Sequence, residues 1–329
     1  MVKNLLHLVY GCIILAACNA SSRNVVRSFN RNTITDTFTV TAAIDSSSHD
    51  FDTMTIAGKT AASLLDLPVT QDGAIILSPG FYEADFKSYC LQPGTPDPSS
   101  RDAYGQQVLN TYHRDIVETA LRQSLIKTDL DQRNIQLLLW SIVSGSSFDR
   151  LSPEVQQTAG QLLTRKQIFE LRGGVTGMIK RMTNYIPNNS GDMAAIKGLF
   201  EKGANSYEAF EKIAVRHEPS IITDPNYRRD QWNWQPGGYF LRYYPASYKQ
   251  LKVQVYVPAN VTSAAAIAAG KYLLFDPVLL MAAPANSNAQ HLGIGAPVIG
   301  ILRKVIQVNT NGPKLPKPKT TAKSPKAIS

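Results

Sequence analysis

Cysteine is scarce in this sequence, since its 329 residues include only Cys12, Cys18 and Cys90. A disulfide-stapled scaffold is therefore excluded, and the fold must depend on its hydrophobic core. After the N-terminal segment, no uninterrupted apolar run reaches the roughly 20 residues that a membrane-spanning helix needs. With 43% hydrophobic and 18% charged residues, the composition also excludes collagen-like, coiled-coil and wholly disordered chains.

Signature motifs of several enzyme classes are missing too. The sequence has no GxxxxGK[ST] phosphate loop, no GxSxG nucleophile elbow, no HExxH motif and no paired CxxC. In the glycine-containing segment 293–297, Pro297 stands where a phosphate-binding loop needs a free N–H. His49, Asp50 and Asp52 could be metal ligands, but their serine-rich surroundings are more typical of a solvated loop. We therefore expect no metal and no other cofactor.

Acidic residues are absent after Asp276, so the net charge of +9 is concentrated at one end of the chain. Residues 18–276 are close to neutral, which argues against a nucleic-acid partner. Residues 301–329 form a basic tail rich in Lys and Pro, and we expect disorder from about residue 313. This tail could contact anionic lipid headgroups, peptidoglycan carboxylates or an acidic partner, or it could only aid solubility.

The N-terminal segment has the features of a bacterial secretion signal. A short basic start precedes an apolar run that is too short to span a bilayer. The run ends in Leu15-Ala16-Ala17-Cys18, which resembles the lipobox of bacterial lipoproteins. The resemblance implies that residues 1–17 are removed as a signal peptide and that the Cys is acylated, which would anchor the protein in a membrane.

The same resemblance implies a location in the cell envelope. Asn19 stands where an Asp would retain such lipoproteins at the inner membrane, so the outer membrane is favoured. Residues 18–35 have no apolar periodicity and are typical of a tether. Once the signal peptide is removed and Cys18 is acylated, Cys90 is the only thiol left.

The rest of the chain changes character twice. Residues 36–110 are rich in β-branched residues and turn signals, residues 111–216 show helical periodicity, and residues 217–300 return to β patterns. We therefore expect a single α+β body over residues 36–300. In this body a central helical bundle would be flanked by antiparallel β regions.

Local signals place several helices in that body. Apolar residues recur at intervals of three and four over residues 116–125 and 135–142, which predicts two amphipathic helices. Asp129 or Asp131 could cap the second of these helices. Ser152, followed by Pro and Glu, is a start signal for a third helix.

Several segments of the body resemble a family of secreted bacterial proteins of unknown activity. They are Ser88-Tyr89-Cys90-Leu91 with Pro93-Gly94, Ile135-Gln136-Leu137-Leu138-Leu139-Trp140, Gly238-Tyr239 with Arg242-Tyr243-Tyr244-Pro245, and Val253-Gln254-Val255-Tyr256-Val257-Pro258. The resemblance covers about two thirds of the chain. It implies no catalytic residue and therefore no mechanism.

Cys90 is the candidate catalytic residue. With His113, His217 or His291 as a base, its thiol could act as a nucleophile in acyl transfer. No cysteine-peptidase motif surrounds it, and a free cysteine is more often a small buried hydrophobe. Burial of the thiol would favour the structural interpretation, whereas a nearby imidazole in an open cleft would favour catalysis.

A cluster of aromatic residues is the candidate binding surface. Its candidate ligand-binding residues are Trp232, Trp234, Tyr239, Arg242, Tyr243 and Tyr244. Flat rings beside polar groups bind sugars or form protein interfaces, but the same rings can also be the core of an aromatic-rich sheet. Residues 239–244 and 251–256 predict a β-hairpin with alternating faces, so both of its faces cannot be fully exposed.

Together these patterns favour a lipid-anchored envelope protein that binds or scaffolds without catalysis. The expected partner is the membrane, through the anchor, and a glycan, peptidoglycan or another envelope protein. The alternative function is a cell-wall or glycan hydrolase that depends on the thiol of Cys90.

Overall fold

The computed structural model of this protein describes residues 56, 58–109, 113–174, 191–235, 238–259 and 272–299. The predicted signal peptide, the acylation site, the tether, the histidine and aspartates considered as metal ligands and the basic tail all lie outside these residues. Our predictions for those segments therefore stay predictions.

The described residues contain twelve strands and six α-helices. The strands are β1 (Ala62–Ser63), β2 (Ile75–Leu77), β3 (Gly80–Cys90), β4 (Thr95–Pro96), β5 (Tyr104–Val108), β6 (Val215–Arg216), β7 (Asn233–Gln235), β8 (Tyr239–Ser247), β9 (Gln250–Val257), β10 (Leu273–Phe275), β11 (Leu280–Pro284) and β12 (Leu292–Pro297). The helices are α1 (Arg114–Ile126), α2 (Gln132–Val143), α3 (Pro153–Leu162), α4 (Arg165–Leu171), α5 (Gly191–Glu201) and α6 (Tyr207–Ala214). Short 3₁₀ turns lie at Leu64–Asp66 and Phe148–Arg150.

One large sheet organises the fold. Its strands follow the order β5-β11-β12-β3-β9-β8-β7, all neighbours in this path are antiparallel, and β1 pairs in parallel with β3. The sheet curls until its two ends approach each other. The side chain of Gln106 on β5 donates to the hydroxyl of Tyr243 on β8, at 2.7 Å, and Asn233 on β7 donates to the backbone oxygen of Tyr104, at 3.4 Å. The result is a nearly closed, barrel-like sheet.

The prediction of a central helical bundle is therefore wrong. The helices form where periodicity placed them, but the sheet is the centre of the fold and the helices cover it. The two predicted β regions also do not flank the helices, because β3 pairs with both β9 and β12 in one sheet. Periodicity shows that a helix has an apolar face, but it does not show whether a helix or a sheet covers that face.

Two glycines in β12 explain how closely α1 packs on the sheet. A Cβ atom on Gly293 would lie 2.8 Å from the side chain of Leu121, and one on Gly295 would lie 2.8 Å from the hydroxyl of Ser124 and 2.5 Å from the Tyr89 ring. Glycine is therefore required where α1 and β3 contact this strand. The glycines of segment 293–297 serve helix–strand packing.

The predicted hairpin is confirmed as β8 and β9. Val253 and Val255 are fully buried, whereas the intervening Gln254 and the neighbouring Lys252 are only half-buried. This alternation follows the two faces of a strand. The hairpin therefore has one face in the core and one face toward solvent.

Candidate functional site

The predicted aromatic surface is divided between the two faces of β8. Tyr239 and Tyr243 point into the core, where they are 7% and 1% exposed. Burial raises the pKa of both phenols, so both stay neutral. The hydroxyl of Tyr243 accepts a hydrogen bond from Gln106, as described above. These two predicted ligand-binding residues therefore belong to the core of the sheet and not to an exposed surface.

The other predicted residues lie toward the outer face. The guanidinium carbon of Arg242 is 4.1 Å from the ring centre of Trp232 and 5.3 Å from that of Tyr244. Its Nε donates to Oε1 of Gln254 at 2.7 Å, and burial lowers the pKa of this guanidinium. Trp232 is only 3% exposed, whereas Trp234 is half-buried on β7. The structure thus brings Trp232, Arg242 and Tyr244 together, but it does not make one exposed surface of all six residues.

Cys90 is enclosed at the end of β3 and is fully buried. Burial raises the pKa of its thiol to about 12. Its backbone N–H donates to the side chain of Gln136 at 2.8 Å, and its backbone oxygen accepts from the same amide at 2.9 Å. The thiol is thus protonated at neutral pH and inaccessible to a substrate.

The three histidines considered as bases lie in different places. His113 precedes α1, and His217 is exposed just after β6. His291 is buried beside β12, and its backbone oxygen accepts from the N–H of Leu91 at 2.9 Å. Burial lowers the pKa of its imidazole to about 3, so this imidazole is neutral near pH 7 and would be a weak base.

A cleft of about 310 Å³ opens where the starts of α2 and α6 meet the turn between β8 and β9. It is lined by Asp131, Gln132, Arg133, Gln136, Tyr207, Tyr248 and Lys249. The volume lies at the small end of the range for ligand sites. A cleft of this volume suits a small ligand such as a single sugar unit or a short peptide.

The floor of the cleft is an aromatic stack. Trp140 of α2 is fully buried, and its ring lies 5.7 Å from that of Tyr207 and 6.5 Å from that of Tyr248, with the planes within about 30° of parallel. Behind the cleft, Gln136 ties α2 to the end of β3 through the backbone of Cys90. The two tyrosines are therefore held in place by the core beneath them.

A chain of hydrogen bonds crosses this floor. The hydroxyls of Tyr207 and Tyr248 lie 2.7 Å apart, and the hydroxyl of Tyr248 donates to Oε1 of Glu211. Because the single proton of Tyr248 is used in that bond, Tyr207 must donate to Tyr248. The oxygen of Tyr207 can then only accept a hydrogen bond from a ligand.

Burial and charge set the protonation of these groups. Burial raises the pKa of Tyr207 and of Tyr248, and the bond to Glu211 raises that of Tyr248 further. Burial alone would also raise the pKa of Glu211, but hydrogen bonds from Lys249 and Tyr248, with the charges of Lys249 and Arg133, lower it overall. At neutral pH the site therefore contains two phenols and a carboxylate.

Two cations complete the cleft. The guanidinium carbon of Arg133 and the Nζ of Lys249 lie 5.2 and 5.6 Å from the ring centre of Tyr207. Arg133 forms an ion pair with Glu208 at 3.0 Å, and Lys249 forms one with Glu211 at 2.7 Å. A ligand would thus meet two ion-paired cations at the rim of an aromatic floor.

Asp97 positions the turn that carries Tyr248 and Lys249. Its Oδ1 accepts from the backbone N–H of Tyr248 at 2.8 Å. Burial raises the pKa of this carboxyl, against the opposite effects of that bond and of the charges of Lys249 and His217. The turn is therefore fixed by the body of the protein.

The described residues lack two features that bear on the site and on the anchor. Among these residues, no group of three or more His, Cys, Asp or Glu side chains could hold a metal ion. In the same part of the chain, no helix is both long enough and apolar enough to cross a membrane.

Comparison with known proteins identifies no relative. The chain matches no protein family, no curated protein and no solved structure. The resemblances to bacterial lipoproteins and to secreted bacterial proteins therefore stay predictions from the sequence, and the site must be interpreted from its own geometry.

Proposed function

We propose that this chain is a lipid-anchored protein of the cell envelope that binds a ligand or partner without catalysis. In this proposal Cys18 carries the acyl chains, the outer membrane is the favoured membrane, and the cleft is the binding site. The partner is a glycan, peptidoglycan or another envelope protein, and no nucleic acid is involved. The Leu15-Ala16-Ala17-Cys18 motif supports the anchor.

The cleft is the observation that carries the binding part of the proposal. Its aromatic floor is fixed from below, so a ligand would meet a preformed site. A general acid or base works best with a pKa near the ambient pH, whereas the pKa values of Tyr207 and Tyr248 are raised and that of Glu211 is lowered. These groups are therefore better suited to recognition than to proton transfer.

Nothing in the site favours the alternative of a thiol-dependent hydrolase, because Cys90 is buried and protonated. Iodoacetamide near neutral pH should leave Cys90 of the folded full-length protein unmodified and should label it after unfolding in urea, as measured by peptide mass spectrometry. Rapid labelling of the folded protein would reopen the hydrolase alternative.

The anchor and the lack of turnover are tested on protein isolated from the membranes of the producing cell. Mass spectrometry should find Cys18 as an acylated first residue, and a Cys18→Ser variant should leave the membrane fraction. The isolated protein should sediment with a purified glycan, peptidoglycan or envelope fraction and leave its glycan and peptide bonds intact. A free thiol at Cys18, no binding to any of these fractions, or release of soluble wall fragments would contradict the proposal.

A further inference from the structure

We propose that the cleft binds a carboxylate group, which sits between Arg133 and Lys249 above the ring of Tyr207. The group belongs to an acidic amino sugar or to the C-terminus of a short peptide. This inference rests on the proposed function, in which the cleft is the ligand site, and adds the chemistry of the ligand.

The two cations are concentrated around one ring. Trp140 stacks on Tyr207 from the core side, and the guanidinium and the ammonium lie within 5.6 Å of the same ring centre. Arg133 is 61% exposed and Lys249 is 44% exposed, so both can reach a ligand. An anion that displaces Glu208 from Arg133 would be attracted by both cations.

The present partner of Arg133 is easily exchanged. Glu208 is 65% exposed, and an ion pair between exposed side chains contributes little to stability. A ligand carboxylate can therefore replace Glu208 at small cost. Lys249 has a tighter partner, because Glu211 also accepts from Tyr248. Arg133 is thus the main anchor of the ligand, and Lys249 adds attraction without leaving Glu211.

The charge of the cleft favours a singly charged anion over a phosphate. Asp131 places a carboxylate in the lining, and its Oδ1 already accepts from the backbone N–H groups of Arg133 and Asn134, at 2.7 and 3.1 Å. Two N–H groups in the first turn of α2, those of Arg133 and Asn134, are therefore not available to a phosphate. The negative charge of Asp131 would also repel a dianion more strongly than a carboxylate.

The acceptors in the cleft define the rest of the ligand. The oxygen of Tyr207 can only accept, because its proton goes to Tyr248, and the carboxylate of Asp131 also only accepts. The carboxylate-bearing ligand should therefore carry hydroxyl or N–H donors next to its acid group. Acidic amino sugars and peptide termini both satisfy this requirement.

The test is calorimetric titration of the full-length protein in detergent with two matched pairs of probes. N-acetylmuramic acid is compared with N-acetylglucosamine, which lacks the acidic lactyl group, and D-alanyl-D-alanine is compared with its C-terminal amide. We expect one acid to bind at least tenfold more tightly than its neutral partner, with an affinity that falls as salt is added. Preference for the sugar acid identifies a glycan ligand, and preference for the dipeptide identifies a peptide ligand.

Variants locate the binding. Arg133→Gln should weaken binding of the preferred acid roughly tenfold or more. Lys249→Arg should keep most of the affinity for that acid. Arg172→Gln is the matched control, because Arg172 also pairs with an exposed carboxylate, that of Asp149 at 3.3 Å, and also lies over a ring, that of Phe148 at 5.1 Å. The control should bind like the parent protein. Near-ultraviolet circular dichroism of each variant shows that the aromatic floor is intact.

Several outcomes would overturn the inference: equal affinity for acid and neutral probes, no binding of either acid, tighter binding of inorganic phosphate, or insensitivity to Arg133→Gln in a folded variant. The proposed function fails separately. It is contradicted by an unacylated Cys18, by lack of sedimentation with the envelope fractions or by turnover, and none of these is measured in the titrations.

Discussion

The side chain of Gln136 connects the helical layer to the sheet, because its amide makes both a donor and an acceptor hydrogen bond with the backbone of Cys90. Cys90 is the last residue of β3, so one buried amide ends the strand and holds α2 against it. Each of the two residues lies in one of the segments that resemble the secreted bacterial family. The two residues are nevertheless 46 positions apart in the sequence, so neither segment alone indicates their contact. At this scale the function of a residue depends on what it touches.

His291 should make stability dependent on pH. Its pKa is about 3 in the folded state, against 6.5 for the unperturbed side chain. Between these values the unfolded chain binds more protons than the folded one, so the free energy of unfolding should fall as the pH drops from about 6.5 toward 3. In this range the free energy of unfolding should change by up to about 1.4 kcal/mol per pH unit. The stability that depends on a neutral His291 is fully present above pH 6.5.

This prediction is checked by urea unfolding of the parent protein and a His291→Gln variant over the same pH range. The variant should be less stable than the parent near pH 7, where the neutral imidazole packs in the core, but its curve should be flatter below pH 6.5. Parallel curves for the two proteins would show that the imidazole is not held neutral by burial.

At the scale of elements, caps decide where the helices of the cleft begin. Asp131 accepts from two backbone N–H groups at the start of α2, and Ser206 accepts from Ala209 at the start of α6. These two helix starts form one side of the cleft. The caps that start these two helices therefore also place Arg133 and Tyr207 at the cleft.

Asp131→Ala should destabilise the protein by about 1 kcal/mol, since it removes the cap of α2. Asp131→Asn should cost only a few tenths of a kcal/mol, because its amide oxygen accepts the same bonds. Urea denaturation of both variants checks this. Equal destabilisation by the two variants would mean that the charge of Asp131, rather than its cap, stabilises the helix.

At the scale of the whole molecule, the sheet joins segments that are far apart in the chain. Its central strand β3 lies between β9, from the second half of the chain, and β12, from the end of the described residues. Among the described helices between β5 and β6, α1 packs directly on β12 and α2 packs on β3. The helical region therefore depends on strands from both sides of it in the sequence.

A fragment of residues 113–216 should consequently not fold on its own. Its helices would expose the faces that pack on β3 and β12, and we expect partial helicity without a cooperative thermal transition. Trp140 is the only tryptophan in the fragment. Because its ring would no longer be fixed in a packed core, its near-ultraviolet circular dichroism signal should be lost. A sharp unfolding transition of the fragment would instead support a self-contained helical bundle.

Much of the local structure could be predicted from the sequence. The apolar spacing of residues 116–125 and 135–142 located α1 and α2, Asp131 was one of two candidate caps, and alternation predicted the β8–β9 hairpin. Each of these signals is contained within a few neighbouring residues. The cleft gave no comparable signal, because Arg133, Tyr207 and Lys249 are ordinary surface residue types in three separate segments.

Local sequence patterns thus defined the ends and faces of many elements, and the Leu15-Ala16-Ala17-Cys18 motif carries the prediction of an acylated Cys18. The folded chain was needed to show that the sheet is central, that Cys90 is enclosed, that Tyr239 and Tyr243 belong to the core, and that a cleft forms at the start of α2. The two groups of features differ in the range of the interactions that produce them. Periodicity and capping depend on residues three or four positions apart, whereas strand order and burial depend on contacts between distant segments.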